Sequence, residues 1–134
     1  MSTINFAVVK LAHMTWRLKL RAYLDGTEEI DLKTLVSHRD CDLGKWIYST
    51  GAAEFTHCGD FIELEKKHKV MHQMVKQVVQ TKSLGRAKEA ERELARVREF
   101  ADMVVALITK LEERVATGMF PCKNPNSIDL DRLS

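Results

Sequence analysis

Apolar residues recur every three or four positions along three long segments, the rhythm of one buried helix face. In the first, Phe6, Val9, His13, Trp16, Leu20 and Tyr23 keep this spacing, and Asp25-Gly26 supplies a stop. Phe61, Leu64, His68, Met71, Val75 and Val78 repeat it in the second, with Asp60 placed to cap the start. The third runs through Ala87, Ala90, Leu94, Val97, Ala101, Val104, Ile108, Leu111 and Val115, with Gly118 at its end. At 1.5 Å per residue it predicts a helix about 45 Å long. No stretch alternates as a strand does.

Between the first two long helices the pattern is less regular. Residues 31–37 predict one or two helical turns, and residues 41–50 a short helix opened by Asp40 and closed by Gly51. The turn from Thr81 to Gly85 lets the last two long helices run antiparallel. No segment repeats another, so a solenoid is disfavoured. The expected fold is all-α: an up-and-down four-helix bundle over residues 1–117, with an extra short helix that carries Cys41. Residues 118–134, with Pro121 and Pro125, are expected to be a mobile or interaction tail.

Composition narrows the function classes only modestly. The 134 residues suit one domain, and a formal charge of +2 without a basic block gives little support to a nucleic-acid partner. The longest apolar run, Met103 to Ile108, is too short to insert in a membrane, and Lys10 interrupts any leader-like stretch. Three irregularly spaced cysteines, Cys41, Cys58 and Cys122, do not describe a disulfide framework. The reducing cytoplasm is the expected location.

The chemistry begins where histidine interrupts the stripes. His13 sits at a core position between Val9 and Trp16, and His68 between Leu64 and Met71. His72 follows His68 by four residues, so the two share a helix face about 5–6 Å apart at Cβ, a spacing that lets two imidazoles converge on one ion. Cys41, expected in the first turn of the short helix with Arg39 and Lys45 nearby, has surroundings that favour a thiolate. Three imidazoles and a thiolate suit zinc. Composition and periodicity alone leave two readings open: a shared metal site, or unconnected core histidines and a buried cysteine. A di-metal enzyme is disfavoured, because Glu65 and His68 form one E-x-x-H with no second copy.

The segment from His38 through Cys41-Asp42-Leu43-Gly44-Lys45-Trp46 to Tyr48 resembles the signature of the bacterial chemoreceptor zinc-binding domain. His13 followed by Trp16, and the pair His68 and His72, match its other parts, and the resemblance covers roughly residues 4–116. It implies zinc as the cofactor and His13, Cys41, His68 and His72 as ligands, with Trp16, Gly44 and Trp46 structural beside them. It also implies a cytoplasmic, non-catalytic domain that senses zinc or oxidants such as hypochlorous acid, with Cys41 redox-sensitive. Homodimers are expected, as is partnership with a chemoreceptor, diguanylate cyclase or other signalling protein. The chain holds neither a receptor hairpin nor a cyclase domain, so it is either a stand-alone member or an excised domain; Met1 and the unrelated tail from Gly118 make the stand-alone member the expectation. The alternative is a structural zinc-stabilised dimerisation or docking module.

Overall fold

Asn5 starts the first helix: its side chain accepts the Val8 N–H at 3.1 Å, and α1 runs Phe6–Leu24. The computed structural model describes residues 4–55 and 57–118. After α1 come a 3₁₀ turn at Leu32–Thr34, a short α2 at Asp42–Trp46, a π turn at Ile47–Gly51 and α3 at Ala52–Phe55. Two long helices follow, α4 at Gly59–Ser83 and α5 at Ala87–Thr117. The fold is an all-α bundle whose fourth helical member is the composite 42–55 segment. The described residues contain no strand, and none of their helices is long and apolar enough to cross a membrane. The expected tail lies, beyond Gly118, outside the described residues.

Several local expectations change. The 31–37 stretch makes only the three-residue turn, capped by Asp31 accepting from the Lys33 N–H. Gly51 does not end a helix, because the chain continues through the π turn into α3. Asp60 does not cap α4. It lies inside the first turn, and its carboxylate faces Lys110 at 4.0 Å and Arg114 at 3.7 Å on α5.

The turn between α4 and α5 is short because Gly85 takes φ +80°, a conformation strained for any side chain. On α5 the buried positions are Ala90, Leu94, Val97, Ala101, Val104, Ile108 and Leu111, an alternation of four and three that faces one seam. Two apolar clusters divide that seam. One gathers Val9, Leu43, Trp46, Ile47, Phe55, Phe61, Leu64, Ile108 and Leu111; the other gathers Leu20, Tyr23, Val75, Val78, Ala90, Leu94 and Val97. The start of α1 therefore meets the start of α4 and the end of α5, so α1 and α4 run parallel and α5 opposes both. Ile30, Leu32 and Leu35 pack against the second cluster while Leu43 and Trp46 join the first. The connecting segment thus descends along the bundle, giving the expected up-and-down order. Burying each Leu or Ile contributes roughly 1.5–3 kcal/mol.

Charge sets the register of α1 on α5. Lys10 donates to Glu112 at 2.8 Å, Arg17 to Asp102 at 3.0 Å, and Arg21 to Glu91 at 2.5 Å. Each step forward on α1 is a step back on α5. Exposed pairs contribute only about 0.2–1 kcal/mol apiece, so their role is alignment more than stability. Glu93, like Glu91, is a cross-helix partner: it accepts from the Thr81 hydroxyl at 2.9 Å.

Candidate metal centre

His13 and His68 project into the waist between the two apolar clusters, where neither could remain without a polar partner. Each comes from a helix whose other inward positions are hydrophobic, so burial of the stripe carries the imidazole in with it. His72, one turn beyond His68 on α4, is half-buried. Cys41 arrives from the descending segment, at the entrance to α2. The four side chains each offer a ligand atom, and these atoms all lie within 4.8 Å of one another. Ring centres of His13 and His68 are 4.9 Å apart, those of His68 and His72 4.5 Å, and those of His13 and His72 6.0 Å.

Hydrogen bonding fixes which nitrogen faces inward. His13 Nδ1 lies 2.8 Å from the Val9 carbonyl and His72 Nδ1 lies 3.1 Å from the Val36 carbonyl. A carbonyl only accepts, so both Nδ1 atoms carry the proton and both Nε2 atoms keep a lone pair. His72 Nε2 is buried with no hydrogen-bond partner. His68 Nε2 is 3.2 Å from Cys41 Sγ, while its Nδ1 is buried without a partner. Donors 2.0 and 2.3 Å from one tetrahedral ion stand roughly 3.5 Å apart, close to that sulfur–nitrogen separation. An orphaned lone pair, a convergent thiol and three neutral imidazoles fit a zinc ion.

Electrostatics keep the imidazoles neutral. Burial pushes His68 down to about 2 and His72 down to about 4, and lowers His13. The neighbouring histidines lower His68 and His72 further, because one proton in the cluster repels a second.

The thiol departs from the sequence reading. Cys41, not Asp40, caps α2: its Sγ accepts the Gly44 N–H at 3.3 Å, and Asp40 instead accepts from the Ser37 hydroxyl at 2.9 Å. Nor is the free thiol pushed toward thiolate. Burial raises its pKa, Asp42 raises it again, and the amides of Gly44 and Leu43 offset only part of this. Arg39, expected to favour the thiolate, sits over the Tyr48 ring at 4.4 Å. Ionisation of Cys41 therefore waits on a cation in the site.

Of the residues expected beside the site, Gly44 has the clearest role. A Cβ on it would lie 1.7 Å from the His38 carbonyl oxygen, so only glycine lets the 38–41 turn close onto α2. Trp46 is buried among Phe6, Phe55 and Phe61, with ring centres 5.7–6.1 Å away. Trp16 packs against both apolar clusters and spans the waist. Sequence reasoning missed Val36, whose carbonyl orients His72, because a backbone acceptor leaves no residue-type signal. It also missed a cleft of about 310 Å³ lined by His13, Cys41 and His72 but not by His68.

An all-helical bundle holding three histidines and one cysteine at its waist defines a metal-binding helical protein. The chain belongs to the chemoreceptor zinc-binding domain family, whose model matches residues 13–79, half of the 134. That match includes all four donors but stops before α5, short of the 4–116 span expected from sequence. The long α5 supplies packing surface, which many apolar sequences provide equally well. No curated protein and no solved structure matches the chain.

Proposed function

We propose that this chain is a cytoplasmic sensory or regulatory module in which His13, Cys41, His68 and His72 are the ligands of one zinc ion. Occupancy of the site, or oxidation of Cys41, shifts helix packing and signals in a chemotaxis or cyclic-di-GMP pathway. One observation carries the reading: four donors from three separate segments, α1, the entrance to α2, and α4, meet within 4.8 Å. Closing that set ties α1, the descending segment and α4 together, so metal affinity and helix packing are linked. Four protein donors leave no position for water or substrate, which supports a non-catalytic role. When bound, the ion supplies the positive charge that lets Cys41 ionise. The cleft beside Cys41 supports access by an oxidant: hypochlorous acid converts the thiolate to a sulfenic acid and releases chloride, leaving a poorer donor.

The direct test is zinc content by mass spectrometry. The wild-type chain is expected to carry about one zinc and His68→Ala less than about a tenth of that. Equal zinc in both proteins, or none in either, would remove the site from the account.

A second reading, a zinc-stabilised dimerisation or docking module without sensing, has one observation in its favour. Val8, Leu11, Met14 and Leu18 on the outer face of α1 are 54%, 64%, 40% and 72% exposed, at the three-or-four spacing of a helix seam. A second copy of the chain is the expected occupant. Light scattering with and without a chelator separates the two readings. Dissociation on zinc removal favours the docking module, whereas a dimer that persists with altered helix packing favours the sensor.

A further inference from the structure

Beyond the four donors, one more imidazole stands next to the centre. His38 lies on the turn that delivers Cys41, three residues upstream. Its ring centre is 6.4 Å from that of His68, while ring pairs within the donor set span 4.5–6.0 Å. It therefore stands just outside the range that the converging rings define. The position is held firmly. The Cys41 N–H bonds to the Ser37 carbonyl at 3.2 Å, and the His38 carbonyl is pressed against Gly44 so closely that a methyl group cannot enter. The ring itself is held only lightly. It is half-buried and makes a T-shaped contact with the Tyr48 ring at 5.9 Å, and its nitrogens make no hydrogen bond among the described residues. A fixed backbone with an unengaged ring leaves the two side-chain torsions free to re-aim it. An H-x-x-C turn is also a spacing at which two side chains can reach one ion.

We propose that His38 is a reserve ligand of this centre, an imidazole that takes the fourth donor position when the Cys41 thiolate is lost. The chain then passes from three nitrogens and one sulfur to four nitrogens while keeping its ion. This rests on the zinc reading above and adds to it. Loss of the thiolate becomes a re-aiming of the His38 side chain toward His68 and His72 instead of a simple release. That movement leaves behind a single T-shaped contact with Tyr48 at 5.9 Å, while His68 and His72 stay in place on α4.

The test compares four full-length proteins: wild type, His38→Ala, Cys41→Ser and the double variant. Serine is chosen because its hydroxyl can keep accepting the Gly44 N–H. Zinc affinity is measured by competition with a chromophoric chelator, and cobalt(II) spectra report the donor set. Wild type and His38→Ala are expected to bind one zinc with affinities within about threefold of each other. Cys41→Ser should bind one zinc on the order of a hundredfold more weakly, and the double variant at least about tenfold more weakly again. Cobalt in Cys41→Ser should lose the sulfur charge-transfer band yet keep tetrahedral ligand-field bands, which the double variant lacks. Equal affinity in Cys41→Ser and the double variant would overturn the proposal, as would a Cys41→Ser protein that binds no zinc. Absence of zinc from the wild type would instead remove the underlying zinc reading, and the proposal with it.

Discussion

Gly44→Ala will disable the protein more severely than its single added methyl group suggests. Alanine ordinarily stabilises a helical position relative to glycine by up to about 1 kcal/mol. Here the new Cβ would meet the His38 carbonyl oxygen at 1.7 Å, its carbon at 2.7 Å and the Arg39 carbonyl carbon at 3.0 Å. All three are backbone atoms, so no side chain can move aside, and the 38–41 turn must lift from α2. That displaces the sulfur of Cys41 from its partners at Gly44 and His68 and opens the first apolar cluster at Leu43 and Trp46. The expected loss is at least about 3 kcal/mol in urea unfolding, at the high end for overpacking. Zinc content should fall together with it. An alanine variant as stable as wild type, with full zinc, would mean that the turn and the helix are not in fact locked together.

Withdrawing zinc with a strong chelator should lower the melting temperature by on the order of 10–20 °C. At free zinc a thousandfold above its dissociation constant, linkage stabilises the folded chain by about 4 kcal/mol, and a domain of this size shifts several degrees per kcal/mol. The metal-free waist is costly for a second reason. His72 Nε2 is buried without a partner, and such a group costs about 1–3 kcal/mol. The loss will be local. The α4–α5 hairpin keeps both apolar clusters, so most helical signal in circular dichroism should survive. Hydrogen exchange should instead quicken in residues 31–55, which the site fastens to the bundle. A melting temperature unmoved by chelation, or uniform acceleration along the whole chain, would contradict this picture.

The three long helices were legible because each commits one face to a single apolar stripe; every interior stripe position of α4 is buried as its spacing demands. His13 and His68 were legible for the same reason, since an imidazole in a stripe must go where the stripe goes. The segment between α1 and α4 was harder to read. Its path depends on contacts remote in sequence, such as Val36 with His72, and on the fit of Gly44 against His38. Asp40 and Asp60 are good caps by residue type, yet Ser37 engages one, and the other faces cations on α5. Local propensity was correct about the chemistry of both residues and silent about who competes for them. The thiol was misread because the charges near it in sequence, Arg39 and Lys45, do not offset its burial.

The cleft at the waist gives the four donors unequal standing over time. His68 is sealed on every side, while His13, Cys41 and His72 border open space. A molecule that delivers or strips an ion through this cleft meets His13, Cys41 and His72 before it can reach His68. Tightness of binding and speed of exchange thus belong to different parts of the molecule, affinity to the whole donor set and tempo to the width of the cleft. A metal site built this way can hold its ion firmly and still exchange it quickly, because what must open is a mouth and not a core.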